Sequence, residues 1–385
     1  MKNVPQEFDD IRCYNDSEVK DAVDLLLSQP AIHEILTTIM GYDNARFLID
    51  NLAPMHTIDD AQRELILVLF SALEHRTCKE VRLYGTELIN RNTGHIFLSN
   101  HRDIVLDATF LNVHLFFNGY ETTHIGIGNN LLIYPWIESL MKLNKSFIVR
   151  RDGTIKEQLL ISKHLSSYIR YVIGTNHEGV WLAQREGRAK DSSDHTQTSI
   201  LKMLGMSSDE SLPNALRSLH VHPTAIHYEF DPCDFLKARE AQLKRDDPHY
   251  VKSPKDDFLS MKTGLMGYKG TVSLQIAPEW QIPESVDALP RAAQAETLAK
   301  LLDREIHSRY RLLPMNYAAA DLLEDGNRFA EHYSANDRTR FLQYVEQQVQ
   351  RIDLEHRDDD FLRTRIIEMY ANPTLNQDKA LLSEL

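Results

Sequence analysis

The sequence predicts an α/β fold: a mostly parallel central sheet covered by helices, with helical N- and C-terminal extensions. Three observations predict it. Six short apolar runs recur between residues 95 and 276. Most are separated by segments of helical length, the alternation that builds a parallel sheet. On either side of this region the strand rhythm is missing and apolar residues recur at helical spacing. The chain thus divides into an N-terminal helical region (1–80), an α/β domain (81–290) and a C-terminal helical region (291–385).

In chain order, Asp16-Ser17 can cap a helix from Glu18 onward, with Val19, Ala22, Val23 and Leu26 on one face. Pro30 and Gly41 break the next stretch, and Ala61–Glu74 reads as another apolar-striped helix. Strands are expected at His95–Ser99, His124–Gly128, Ser146–Arg150, Gly179–Ala183, Ala225–Phe230 and Thr271–Ile276. Helices are expected over Ala108–Phe117, Ile133–Leu143 and Ile155–Ile173 between them. Beyond Pro290, Arg291–Tyr310, Ala335–Arg351 and Asp360–Tyr370 read as helices with charged outer faces, separated at Pro314, Gly326 and the acidic run 358–360.

Composition removes several function classes. The chain has 385 residues and a formal net charge of -13. That balance argues against a general nucleic-acid binder, which needs surplus Lys and Arg to neutralise phosphates. A local basic pocket is still compatible with it. Cys13, Cys78 and Cys233 are too scattered for a disulfide framework or a CxxC metal site, and they suit a reducing compartment. The start MKNVPQEFDD lacks the apolar core of a secretion signal. The run Leu65–Leu73 falls well short of the roughly 18 residues of a spanning helix. A cytoplasmic protein, soluble or peripheral at the inner face of a membrane, is the expectation.

Four blocks carry candidate chemistry. In the first, an apolar strand runs into Asn100-His101-Arg102-Asp103, and Asp107 follows within the next helix. A His at a strand end with a carboxylate on the next helix suits a dyad. The carboxylate orients the ring, and the other ring nitrogen takes a proton from an attacking hydroxyl. His-Arg-Asp also occurs in the catalytic loop of protein kinases, but Ala108 stands where a kinase places Asn, and no glycine-rich loop precedes it. In the second block, Arg150 and Arg151 end an apolar strand, where guanidinium groups suit an anion such as phosphate. The third, Gln184-Arg185-Glu186-Gly187-Arg188-Ala189-Lys190, again follows an apolar strand, with Gly187 allowing a tight turn. The fourth, His222-Pro223-Thr224-Ala225-Ile226-His227-Tyr228-Glu229, is a strand entered through proline. His220 and His222 form an i, i+2 pair with no third ligand in view, so no metal is expected.

Taken together and in this order, the blocks resemble those of the phospholipid and glycerol acyltransferase family, over roughly residues 85–230. Arg102 directly after His101, and Phe147-Ile148-Val149-Arg150-Arg151, are similar to the branch that acylates glycerol 3-phosphate. Two features depart from the family pattern. Five residues rather than four separate His101 from Asp107, with Asp103 as the alternative partner, and Arg188 and Lys190 flank the position where the family's third block has its Arg.

The resemblance implies transfer of a fatty acyl group from acyl-CoA or acyl carrier protein, with no other cofactor. His101 and Asp107 would be catalytic; Arg102, Arg150, Arg151, Glu186, Gly187 and Arg188 would bind substrate. It also implies peripheral contact with membrane, for which Leu131–Lys142 is a candidate interfacial segment or the lining of an acyl groove. Acylation of lysophosphatidate, and a non-catalytic lipid-binding role, are the alternatives. A hydrolase would need a GxSxG elbow, which the sequence lacks.

Overall fold

A computed structural model describes residues 4–51, 54–132, 134–150 and 153–382. The N-terminal helices are α1 (Asp16–Leu27), α2 (Pro30–Met40), α3 (Tyr42–Asp50), α4 (Ile58–Ala61) and α5 (Leu67–Thr77), the last two joined by a π-helical turn at Gln62–Ile66. Asp16 is inside α1 rather than its cap: Asn15 caps, its N–H bonded to Glu18 at 2.7 Å, while the Asp16 carboxylate accepts from Ile58 N at 2.9 Å. Pro30 opens α2 at a position where its missing N–H costs nothing, and Gly41, at φ 83°, ends it.

Strands and helices then alternate: β1 (Cys78–Tyr84), β2 (Ile96–Ser99), α6 (Leu106–Phe117), β3 (His124–Gly128), α7 (Pro135–Leu143), β4 (Ser146–Val149), α8 (Ile155–Tyr171), β5 (Val180–Ala183), α9 (Thr198–Gly205), α10 (Leu212–Arg217), β6 (Val221–Tyr228), α11 (Asp234–Asp246), α12 (Pro254–Met266) and β7 (Gly270–Ile276). The C-terminal helices are α13 (Arg291–His307), α14 (Pro314–Leu323), α15 (Ala335–Gln350) and α16 (Asp359–Leu382). The sequence reading has no strand at β1, whose Lys79, Glu80 and Arg82 disguise a half-exposed strand. It also stops the last helix at Tyr370, whereas α16 continues through Pro373.

The seven strands are ordered β1-β7-β6-β2-β5-β3-β4. From β6 to β4 all neighbours are parallel; β7 is antiparallel to β6 and parallel to β1. The sheet is therefore mostly parallel, with helices on both faces. Alternation along each strand divides the core between those faces. Phe97, Trp181 and Ile226 pack with α1, α5 and α6, whereas Ile96, Leu98, Val180 and Leu182 pack with α8, α9 and α13. A third apolar cluster joins α14, α15 and α16 to Ala238 of α11. At the β4 edge, Ile148 N donates to Ile11 O at 2.8 Å, so the N-terminal segment pairs with the outermost strand.

This topology brings the ends of β2, β3, β4, β5 and β6 to one edge of the sheet. In open parallel sheets that edge is where ligand crevices form. Ser99 pairs with Ala183 on one side and Thr224 on the other, so β6 runs four residues beyond the end of β2.

Candidate active site

At the end of β2, Asn100 is fully buried and locks the strand to β6. It accepts from Ile226 N at 2.7 Å and donates to Ile226 O at 2.9 Å. That lock fixes where His101 leaves the sheet. The His101 ring, 13% exposed at its side chain, has Nδ1 2.9 Å from Asp107 Oδ2. Its edge approaches Trp181 at 5.9 Å between centroids, and Trp181 is itself held by Nε1–H donation to Ser99 Oγ.

The five-residue interval between His101 and Asp107 is taken up by a turn. Asp103 Oδ1 accepts from Val105 N and Leu106 N, both at 2.9 Å, and so starts α6. Asp107 then lies in the first helical turn, where the positive end of the helix favours its charge. The loop closes around it, with Arg102 N and Asp103 N donating to Oδ2 at 2.7 and 3.1 Å. Tyr228 OH, at the overshooting end of β6, donates to Oδ1 at 3.0 Å. Asp107 is 1% exposed yet fully supplied with donors.

Arg102 and Arg188 are both buried near this dyad. The Arg102 guanidinium lies 2.6 Å from Asp194, itself inaccessible to solvent, and over the Tyr310 ring at 5.8 Å. Asp194 also accepts from Tyr310 OH at 2.6 Å and Asn100 Nδ2 at 3.2 Å. Arg102 is therefore engaged inside the protein. Burial works against the charge of Arg188, but Cys233, Asp103 and Asp231 outweigh it and hold the guanidinium protonated. One of its nitrogens, Nη1, is buried without a hydrogen-bond partner.

The remaining predicted residues lie further out. Gly187 makes the turn of the third block at φ 65°, and Glu186 is exposed, its N–H bonded to Gln197 at 2.7 Å. Lys190 turns to Glu240 of α11 at 2.7 Å, and burial first, then Arg188, lowers its ammonium to about 8. Arg150 is exposed at the end of β4, three strands from β2, which is on the order of 14 Å across the sheet. Arg151 lies outside the described residues. The structure thus joins His101 to Asp107, turns Arg102 to Asp194, sets Arg188 beside Asp103, Asp231 and Cys233, and leaves Arg150 at the sheet edge.

Beside the dyad is an apolar cavity of about 30 Å³ lined by Ile104, Val105, Ala108, Ile125, Ile127, Ile137, Met141, Trp181 and Met261, among others. In the segment Leu131–Lys142, α7 turns Ile137 inward to the cavity, while Tyr134 is 51% exposed and stacks on Trp136. Ile133 lies outside the described residues. No group of three or more metal-ligating side chains occurs among the described residues, and none of their helices is long and apolar enough to cross a membrane.

Sequence reasoning quoted Tyr228 without assigning it a role, and it missed Asp194 altogether. Nothing in the local pattern marks Asp194, because its partners come from β2, its following loop and the segment after α13.

Comparison with known proteins agrees with the blocks. A family model described as Acyltransferase matches residues 80–200, a span that includes His101, Asp107, Arg150 and Arg188. No curated protein matches. Among solved structures, the 1-acyl-sn-glycerophosphate (LPA) acyltransferase PlsC from Thermotoga maritima is similar at 12% identity, covering 74% of this chain and 89% of that one, with a TM-score of 0.35. Residues 80–200, which hold the His101–Asp107 pair, are thus similar to the acyltransferase family.

Proposed function

We propose that the protein transfers a fatty acyl group from a thioester, acyl-CoA or acyl carrier protein, to a hydroxyl of glycerol 3-phosphate, with His101 as general base. The observation that carries this reading is the 2.9 Å bond from Asp107 to His101 Nδ1. It holds one tautomer and leaves Nε2 to take the acceptor's proton. The acceptor oxygen attacks the thioester carbonyl as His101 removes its hydrogen. The tetrahedral intermediate then collapses, the C–S bond breaks, and the leaving thiolate takes the proton back from the imidazolium. The products are an ester and a free thiol; no further cofactor enters the balance.

Two neighbouring features support the substrate assignment. The apolar cavity at Val105 and Trp181 suits the start of an acyl chain. At about 30 Å³ it has space for little more than a methylene, so chain binding displaces the flexible Met141 and Met261. Arg188, buried with an unpartnered nitrogen, suits the acceptor phosphate. Peripheral membrane contact is supported by the first two turns of α8, where Ile155, Leu159 and Leu160 are 87%, 61% and 62% exposed beside Lys156 and Lys163.

The test is a matrix of acyl-CoA and acyl carrier protein against glycerol 3-phosphate and lysophosphatidate. Turnover of glycerol 3-phosphate is expected, with a loss of about 10²–10⁴-fold in His101→Ala at unchanged Tm. Near wild-type activity in that folded variant would sink the mechanism, and turnover of lysophosphatidate alone would reassign the acceptor. Arg188→Lys is expected to raise KM for the phosphorylated acceptor about 10–150-fold, from the roughly 1.5–3 kcal/mol of a charge-assisted hydrogen bond. Arg150→Ala is expected to do less, and the donor's KM stays put in both.

A further inference from the structure

We propose that Tyr228 is a positioning residue of the dyad: its hydroxyl fixes the second oxygen of Asp107 and thereby sets how firmly His101 holds the proton it takes. The inference rests on the general-base reading of His101.

Tyr228 is placed for this by the sheet. β6 overshoots β2 by four residues, and its last residue stands beside the loop that wraps Asp107. Three donors, His101 Nδ1–H, Arg102 N–H and Asp103 N–H, converge on Oδ2. Oδ1 receives Tyr228 OH at 3.0 Å. Without it, the carboxylate is pinned through one oxygen and is free to swing about that point, which loosens the ring it orients. Tyr228 is 6% exposed and its ring lies against Phe110, 6.5 Å between centroids, so the hydroxyl has a fixed direction. Burial first, and then the charge of Asp107, push its ionisation well above the ordinary tyrosine value, so it stays a donor throughout the working range.

Donation to Oδ1 also has an electrostatic effect. It draws charge from the carboxylate and weakens the pull of Asp107 on the imidazolium proton. A phenyl ring in the same place removes that competition. The imidazolium is then more stable, and a higher pH is needed to free Nε2. The other charged or titratable groups near the pair are Arg102 and Asp103 of its own loop, Arg188 of the third block, Asp194 and Tyr310 beside Arg102, Asp231 after β6, and Cys78 and Lys269 beside β7. All remain in place when one hydroxyl is deleted.

The experiment compares wild type, Tyr228→Phe and His101→Ala in the full chain, using kcat, both KM values and pH profiles of kcat/KM. NMR titration of the His101 ring supplies a readout independent of turnover. In Tyr228→Phe, kcat is expected to fall on the order of tenfold or more with both KM values unchanged. The acid limb of the profile is expected to move up, with the ring titration moving in step. A merely structural tyrosine would lower Tm without moving either titration. Wild-type kcat and an unmoved acid limb in Tyr228→Phe, alongside inactive His101→Ala, overturn the assignment of Tyr228 alone. Activity in His101→Ala overturns the general-base reading beneath it.

Discussion

Two carboxylates at the start of α6 have opposite surroundings. Asp107 bonds the His101 ring, whereas Asp103 spends Oδ1 on the backbone of Val105 and Leu106. Asparagine keeps an acceptor oxygen for the second task but cannot balance an imidazolium in the first. Asp107→Asn is therefore expected to lose about 10²–10⁴-fold in kcat, and Asp103→Asn less than about tenfold. Steady-state rates of the two variants decide it, and equal losses would remove the distinction. The pair was legible in the sequence because a strand end followed by His and a carboxylate is local. The engagement of Arg102 was not, since Asp194 reaches it only through tertiary packing.

Helix α12 was the element least visible in the sequence. In Pro254–Met266 few side chains are buried, Ser260 among them, and the chain offers no apolar stripe for periodicity to find. Its place is nevertheless tightly specified: a Cβ on Gly264 would come 2.1 Å from Asp103 Oδ2. Its Met261 lines the apolar cavity. Gly264→Ala cannot fit without displacing the Asp103 carboxylate that starts α6, or α12 itself. A loss of about 1–3 kcal/mol in stability is expected, together with reduced turnover. Thermal unfolding and kcat measured together check this; a variant normal in both would mean that α12 is free to shift. By contrast, β2, β3, β4 and β5 were readable because buried parallel strands are continuous apolar runs.

At the scale of the molecule, a fully buried histidine lies at the start of β3, on the sheet edge opposite the dyad. His124 Nε2 is 2.8 Å from Glu178, and its Nδ1 faces Tyr168 OH at 3.1 Å and Cys13 Sγ at 3.8 Å. Burial alone would lower His124, but Cys13 and Glu178 raise it to about 9. Burial likewise opposes the charge of Glu178, yet His124, then Lys145, bring it down to about 2. The histidine's contribution is complete below its unfolded value of 6.5 and is lost as pH rises through about 9. The glutamate's is complete above 4.5 and is lost as pH falls through about 2. Tm is thus expected to decline between pH 6.5 and 9, and Glu178→Gln to flatten that decline. An equally steep slope in the variant would show that other groups cause it.

Cys13 belongs to the same N-terminal segment as Ile11, whose carbonyl accepts from Ile148 on the outermost strand. An uncovered parallel edge offers its free N–H and C=O groups to any extended chain it meets. Among the described residues before α1, Ile11 occupies that edge at Ile148 and so stands where another extended chain would pair. Shortening the chain before α1 should show in light scattering, as assemblies that grow with concentration; unchanged scattering would mean that the edge is protected by something else.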